Sequence, residues 1–167
     1  MQTPDIAYLT EDISHDAIIQ VINEEAFGPG RFTRAAERVR EQGPHDRALS
    51  LVASENGAIV GSVRMTPILA GVLRGHLLGP LAVRPSHKNR GIGRALVGIA
   101  VGRALDRGSE GVILVGDPPY YQPLGFSPVP FGALVFPGPV DPARVLVAGC
   151  PPALTGRMKG HVAWRPA

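Results

Sequence analysis

A group of basic residues and glycines just ahead of a predicted helix has the composition of an anion-binding site. Gly91 and Gly93 lie in the first helical turn, and the charges around them come from Lys88, Arg90 and Arg94. The unpaired amides and the dipole of a helix N-terminus attract negative charge, and glycines let a phosphate approach the backbone. The segment therefore predicts a site for a pyrophosphate group.

Two other interpretations of these glycines stay open on residue types alone. Gly91-Ile-Gly93 can simply mark the start of a helix, since short glycine motifs also occur by chance. A dinucleotide-binding site fits less well, because its glycines follow the strand directly in the pattern GxGxxG/A. Here a loop containing Pro85 intervenes, and Leu96 occupies the third small position.

The elements that must position these residues form an α/β pattern in a single domain, residues 1–167. Apolar periodicity and turn residues predict helices over 15–27, 34–42 and 91–107, and strands over 48–54, 58–67, 73–83, 111–115, 144–148 and 160–164. A helical crossover joins the third strand to the fourth, so those two should be parallel within a mixed, mostly antiparallel sheet flanked by helices. Gly79-Pro80 interrupts the third strand, where a bulge or a parting from one neighbour is expected.

Two motifs in this frame resemble the GNAT N-acetyltransferase superfamily. Lys88-Asn-Arg-Gly91-Ile-Gly93 looks like the family's acetyl-CoA loop, R/Q-x-x-G-x-G/A, with Lys at the first position. The segment from Gly116 to Phe126 is similar to the family's Tyr-x-x-x-Gly-Phe signature, and its Gly-Asp-Pro-x-Tyr-Tyr form resembles a small bacterial subgroup. The resemblance extends from about residue 50 to the C-terminus.

The resemblance implies an acyltransferase that moves the acetyl group of acetyl-CoA directly to a primary amine, through a tetrahedral intermediate. Backbone groups of Leu81, Ala82 and Val83 would bind the pantetheine and the acetyl carbonyl. The strand interruption would let the thioester lie between two parted strands. The pyrophosphate would be held by the loop and helix start: Lys88, Asn89, Arg90, Gly91, Ile92, Gly93 and Arg94.

The resemblance also implies an acid for the departing thiolate. Tyr121 stands four residues before Gly125, in the place of the family's thiolate-protonating tyrosine, and Tyr120 is its neighbouring competitor. A phenol with a pKa of ~10 can donate to a thiolate with a pKa of ~8.5 only modestly uphill. A packed aromatic near a chain reversal is the alternative interpretation of Tyr121.

The base that would deprotonate the acceptor amine is not evident from the sequence. Asp117 follows a predicted strand where α/β proteins usually bind ligands, although an Asp before a proline is equally typical of a turn. Glu24 and Glu25 end the first helix, near the place where the family's acceptor site forms, although surface charges commonly occupy such positions. His76, a water relay or direct binding of a neutral amine are further alternatives.

Charge and composition narrow the partners. Residues 1–30 carry six acids and no Lys or Arg, which favours a cationic acceptor, a small molecule or a peptide. The basic block over 84–107 lacks interleaved aromatics, so nucleic acid is not expected. The proline-rich segment from Pro128 to Pro142 is expected to form a wall of the acceptor site. Family members are often dimers, so a homodimer is a further expectation.

Other features concern the compartment and the alternatives to catalysis. The single Cys150 and the histidine spacing indicate no disulfide and no metal, and no signal peptide or long apolar run is present. We therefore expect a cytoplasmic protein with no membrane association. The missing base and the Lys88 departure keep one rival function open, a catalytically degenerate acyl-CoA sensor or interaction module.

Overall fold

The structure of the protein, a computed structural model, describes residues 5–166. The strands are β1 (Ile6–Thr10), β2 (Leu51–Glu55), β3 (Ala58–Ala70), β4 (Leu73–Val83), β5 (Val112–Val115), β6 (Ser127–Pro128), β7 (Leu134–Val135), β8 (Val145–Ala148) and β9 (Gly160–Trp164). The α-helices are α1 (Asp16–Phe27), α2 (Ala35–Arg40), α3 (Ile92–Asp106), α4 (Pro118–Tyr121) and α5 (Pro152–Thr155). None of the helices within these residues is long and apolar enough to cross a membrane.

The strands form a mixed sheet in the order β1-β2-β3-β4-β5-β8-β6, while β9 pairs with the end of β3. Neighbours are antiparallel except for β4 with β5 and β7 with β9. The expected fold class is therefore confirmed, including the parallel pair that the crossover helix α3 requires. Both faces of the sheet are covered, so β4 lies in the middle of the molecule.

The interruption predicted at Gly79-Pro80 is present and has two consequences. On the β3 side, Gly79 and Pro80 together face the single residue Arg64, which is a β-bulge. On the β5 side, ladder pairing ends at Leu77, and the two parallel strands part beyond it. A cleft therefore opens between β4 and β5 in the middle of the sheet.

Two apolar clusters hold β4 from opposite faces. On one face α3 packs Leu96 and Ala100 against the sheet, with Met65 of β3 in the same cluster. On the other face α2 buries Val39 near Leu77. Burying side chains of this size contributes ~1.5–3 kcal/mol each, so both helices are fixed relative to the bulge.

The N-terminal region differs from the prediction. β1 was not expected, because its five residues alternate weakly and the strand lies at the sheet edge, with Leu9 exposed. Residues 47–49 form a 3-10 turn rather than the start of β2. In the other direction β3 continues past Pro67 to Ala70, because its end gains a second partner in β9.

Candidate active site

One of the clefts beside the bulged part of β4, which we call the loop cleft, has a volume of about 730 Å³. It lies between the end of β4, the loop that precedes α3, and α4. Nine of the residues predicted to bind a cofactor line it: Leu81, Ala82, Val83, Lys88, Asn89, Gly91, Ile92, Gly93 and Arg94. The structure therefore gathers the parted strand and the glycine loop around one space.

Arg90 is the predicted ligand that does not line the loop cleft. Its Nη2 lies 2.8 Å from Oε2 of Glu55, at the end of β2. His87 approaches the other oxygen of the same carboxylate, with Nε2 3.3 Å from Oε1. Arg90 thus ties the loop to the sheet, and Lys88 and Arg94 supply the positive charge inside the cleft.

The start of α3 has the backbone geometry of an anion site. Gly91 is the N-cap, and its φ of 78° lies in the left-handed region that favours glycine. The first amides of the helix have no partner within it. At Gly93, an added Cβ would lie 2.6 Å from the Tyr120 hydroxyl, so α4 lies directly over this turn. A phosphate could therefore approach the unpaired amides beside Lys88 and Arg94.

The second cleft, which we call the arginine cleft, has a volume of about 420 Å³ and lies on the other side of the bulge. Its floor is the bulge of β4 and the end of β5, and part of its wall comes from residues 139–141 of the proline-rich segment. Four arginines line it: Arg31, Arg34, Arg40 and Arg144. Three carboxylates accompany them: Glu37, Asp117 and Asp141.

Tyr121 lines both clefts, whereas Tyr120 lines only the loop cleft. The ring of Tyr121 packs edge-on against the ring of Tyr120, with centroids 4.8 Å apart, and against the ring of Phe126, with centroids 5.7 Å apart. Burial, reinforced by Tyr120 and Asp117, raises the pKa of Tyr121 to about 12. The hydroxyl therefore stays protonated at physiological pH and is available as a donor of a hydrogen bond or a proton.

Asp117 also lines both clefts, beside Tyr121. Its Oδ1 lies 3.4 Å from Nη2 of Arg144, and its side chain is largely exposed. Its main-chain carbonyl accepts hydrogen bonds from the amides of Tyr120 and Tyr121. Asp117 therefore combines the two features considered from the sequence. It starts the turn, and it lies where the two clefts meet.

The other candidates for amine binding or base catalysis lie away from the two clefts. Glu24 is exposed, and Glu25 forms an ion pair with Arg84 at 3.1 Å. His76 is 6% exposed, and its Nδ1 lies 3.0 Å from Oγ of Ser109, where β4 and β5 are still paired. Burial, helped by the charge of Arg165, lowers the pKa of His76 to about 4.

The arginines that line the arginine cleft, above all Arg40 at the end of α2, are the site residues that sequence reasoning missed. Arg40 lies against Gly79: an added Cβ on that glycine would be 2.7 Å from Nη2 of Arg40. The two residues are far apart in the chain, and α2 reads in the sequence as an ordinary charged helix. The packing of Ala35, Ala36 and Val39 beneath it brings the helix over the bulge.

No metal site accompanies these clefts in the part of the chain that the structure describes: no group of three or more His, Cys, Asp or Glu side chains is placed to hold an ion. What the clefts offer is an anion site, a strand that has lost its β5 neighbour, a partly buried phenol and a cluster of arginines. That combination suits group transfer from a phosphate-bearing donor.

Comparison with known proteins places the chain in a family. Residues 16–126 match the Acetyltransferase (GNAT) family, and the chain belongs to it. The protein is 29% identical over 121 residues to the uncharacterized N-acetyltransferase YjhQ of Escherichia coli, an alignment that covers 70% of this chain and 67% of the relative.

Two solved structures are similar over nearly the whole chain. A GNAT acetyltransferase from Brucella melitensis, in complex with acetyl-CoA, has a TM-score of 0.68 and 26% identity, covering 98% of this chain and 97% of its own. The Escherichia coli protein YhbS, in complex with CoA, has a TM-score of 0.80 and 22% identity, covering 99% and 92%. The similarity to YhbS supports the fold, and the Brucella melitensis protein is similar to this chain in sequence as well as in fold.

Proposed function

We propose that the chain, as one N-acetyltransferase domain, moves the acetyl group of acetyl-CoA directly to a primary amine. One observation carries the proposal: the loop cleft and the arginine cleft meet where β4 parts from β5, and Tyr121 lines both. A donor in one cleft and an acceptor in the other would meet beside a phenol that remains protonated.

The loop cleft has the features that acetyl-CoA requires. Unpaired amides at Gly91 and Gly93, with Lys88 and Arg94 beside them, would hold the pyrophosphate. The backbone of residues 81–83 has lost its β5 partner, so it can pair with the amide groups of the pantetheine arm as a neighbouring strand would. The bound donor supplies a thioester whose carbonyl carbon is open to attack.

The chemistry then follows from the groups at the junction. The amine nitrogen forms a bond to the carbonyl carbon, and β4 amides stabilise the oxyanion of the tetrahedral intermediate. The carbon–sulfur bond breaks, and Tyr121 donates its proton to the sulfur. Asp117 accepts the proton that the amine loses, directly or through water.

The pKa of Tyr121 defines how its proton moves. Because the phenol has a pKa of about 12 and the thiol of CoA a pKa of ~8.5, full transfer of the proton to the thiolate is uphill by ~5 kcal/mol. Tyr121 therefore acts first as a hydrogen-bond donor to the sulfur, and the proton crosses only as the bond breaks and negative charge builds up there. Protonation from water afterwards restores the phenol.

Binding and turnover test the proposal separately. Calorimetry with acetyl-CoA should show one site per chain, competed by CoA. Incubation with acetyl-CoA and a panel of amines should release free thiol and yield an amide product of matching amount. An absence of acetyl-CoA binding overturns the proposal, whereas tight binding without thiol release on any amine or peptide would instead establish an acyl-CoA sensor.

A further inference from the structure

We infer that the acceptor amine carries an anionic oxygen group, a carboxylate or a phosphate, which Arg40 and Arg34 bind in the arginine cleft. The inference rests on the proposed function and adds the chemical class of the acceptor. It depends on the position of Arg40, on the charge balance of the cleft, and on where the acids of the N-terminal region lie.

Arg40 lies at the bulge, and part of its guanidinium has no hydrogen-bond partner among the described residues. Its Nη1 lies 3.1 Å from Oε2 of Glu37, and its side chain is 19% exposed. Among the described residues its buried Nε has no hydrogen-bond partner, and Nη2 lies over Gly79. A guanidinium offers five donors in a planar fork that matches a carboxylate or phosphate. One edge of this fork is engaged by Glu37, and Arg40 lines the arginine cleft.

The environment of Arg40 favours a second anion. Burial lowers the pKa of its guanidinium, while the single carboxylate of Glu37 works in the opposite direction and nearby Arg34 adds to the lowering. A partly desolvated cation with one partner gains from another, because charge-assisted hydrogen bonds strengthen where water is excluded. A ligand anion would supply the missing interaction.

The cleft as a whole carries an excess of positive charge. Glu37 is engaged by Arg40, and Asp117 lies beside Arg144 at 3.4 Å. Asp141 accepts a hydrogen bond from the amide of Ala143 as the cap of a turn. Two of the three carboxylates thus each face an arginine, and the third caps a turn.

Arg31 and Arg34 contribute to the excess of positive charge in the arginine cleft. Within residues 5–166, neither has a carboxylate partner: Arg31 donates to the carbonyl of Gly28 and stacks on Phe32, and Arg34 lies over the ring of Phe27. Four arginines and three carboxylates therefore line the cleft, which leaves an excess of one positive charge. An anionic acceptor would be attracted to such a cleft, and a polyamine would be repelled.

The N-terminal acids that favoured a cationic acceptor in the sequence do not reach this cleft. Glu11 is buried under His45 and Arg64, with contacts of 2.5 and 2.7 Å. Asp16 pairs with Arg47 at 2.8 Å. Both acids thus pair with basic residues of the fold, and Asp16 lines a separate cleft that Arg40 also lines.

A panel of matched amines tests the inference on the wild-type protein. The arms are amino acids against their carboxamides, 4-aminobutyrate against 1,4-diaminobutane, and phosphoethanolamine against ethanolamine. We expect kcat/KM to be roughly 10- to 100-fold higher for the anionic member of a pair, the usual effect of a charged hydrogen bond. A preference confined to the carboxylate pairs would identify a carboxylate as the bound group, and a preference confined to the phosphate pair would identify a phosphate.

Variants then assign the preference to residues. Arg40→Gln and Arg34→Gln should each raise KM for the anionic amine and reduce the preference toward unity, with acetyl-CoA affinity retained. Arg34 is exposed, so its variant stays informative if Arg40→Gln fails to fold. Arg38→Gln is the matched control, since Arg38 lies on α2 outside the cleft and pairs with Glu41 at 3.4 Å.

Each outcome decides the matter. Preference for the anionic partner that both cleft variants reduce and the control retains supports the inference. Equal or faster acetylation of the carboxamides and the diamine overturns it, while the acetyltransferase function still stands. Retained preference in both cleft variants overturns the assignment to these arginines. If acetyl-CoA does not bind at all, the proposed function itself has failed.

Discussion

The ring of Tyr121 packs directly over the Cα of Gly116: a Cβ added to that glycine would lie 2.5 Å from Cε2 of the tyrosine. Gly116 immediately follows β5, at the point where that strand has already parted from β4. The absence of a side chain there lets the phenol settle between the two clefts. Position 116 therefore determines where the proposed acid stands.

Replacing Gly116 with alanine should displace the ring of Tyr121. Because a misplacement of about 1 Å at a reacting group can cost ~100-fold in rate, we expect Gly116→Ala to lower kcat roughly 10- to 100-fold. The affinity for acetyl-CoA, measured by calorimetry, should change little. Gly98→Ala is the control: that glycine is exposed on α3 with open space around it, so activity should persist and stability should rise by about 0.5–1 kcal/mol.

Removing the hydroxyl of Tyr121 tests the acid itself. Tyr121→Phe keeps the packing against Phe126 but leaves no proton donor for the sulfur, so kcat should fall by ~10²–10⁴ with acetyl-CoA affinity nearly unchanged. Tyr120→Phe is the matched control and should retain most of the turnover. A fall in acetyl-CoA affinity rather than kcat would contradict the assignment.

Arg94 provides a test of the pyrophosphate site. Its side chain lines the loop cleft near the start of α3 and is exposed, so Arg94→Gln should weaken acetyl-CoA binding by about 5-fold. The effect should shrink at high salt, since exposed charges are screened. Arg107→Gln, at the far end of the same helix, should bind as the wild type does. Equal effects of both variants would argue against a specific phosphate contact.

Local chemistry made the bulge and the bounds of β4 and β9 predictable. Proline has no backbone N–H to donate to a neighbouring strand, so Gly79-Pro80 predicted that β4 would bulge or part from a neighbour, whichever strands lay beside it. The bounds of β4 and β9 match the prediction because turn residues flank both segments. The position of Tyr121 came from a family resemblance, and its burial and raised pKa emerged only from the packed structure.

What could not be predicted depends on contacts between distant parts of the chain. Arg40 meets Gly79 because Val39 is buried beneath α2, and no local pattern reveals that partner. The acids near the N-terminus looked available for a ligand, yet Glu11 and Asp16 pair with arginines some thirty or more residues away. Charge counted along a sequence does not show which charges the fold neutralises.

The buried His76 makes the stability of the fold dependent on pH. Its pKa is about 4 in the folded protein and 6.5 when unfolded, because burial and the charge of Arg165 disfavour the imidazolium. Between those values the unfolded chain binds a proton that the folded chain does not, so the free energy of unfolding rises with pH across this window. The full difference approaches about 3 kcal/mol, lost as pH falls from above 6.5 to below 4.

Urea unfolding at a series of pH values measures this dependence, and His76→Gln should flatten it above pH 4.5. Glu11 acts in a lower window. Burial alone would raise its pKa, but hydrogen bonds from His45 and Arg64 and their charges outweigh burial and lower it. The stability that Glu11 contributes is therefore present above its ordinary pKa of 4.5 and is lost as pH falls through the lower folded value. A His76→Gln profile as steep as the wild type between pH 6.5 and 4.5 would place the titrating group elsewhere.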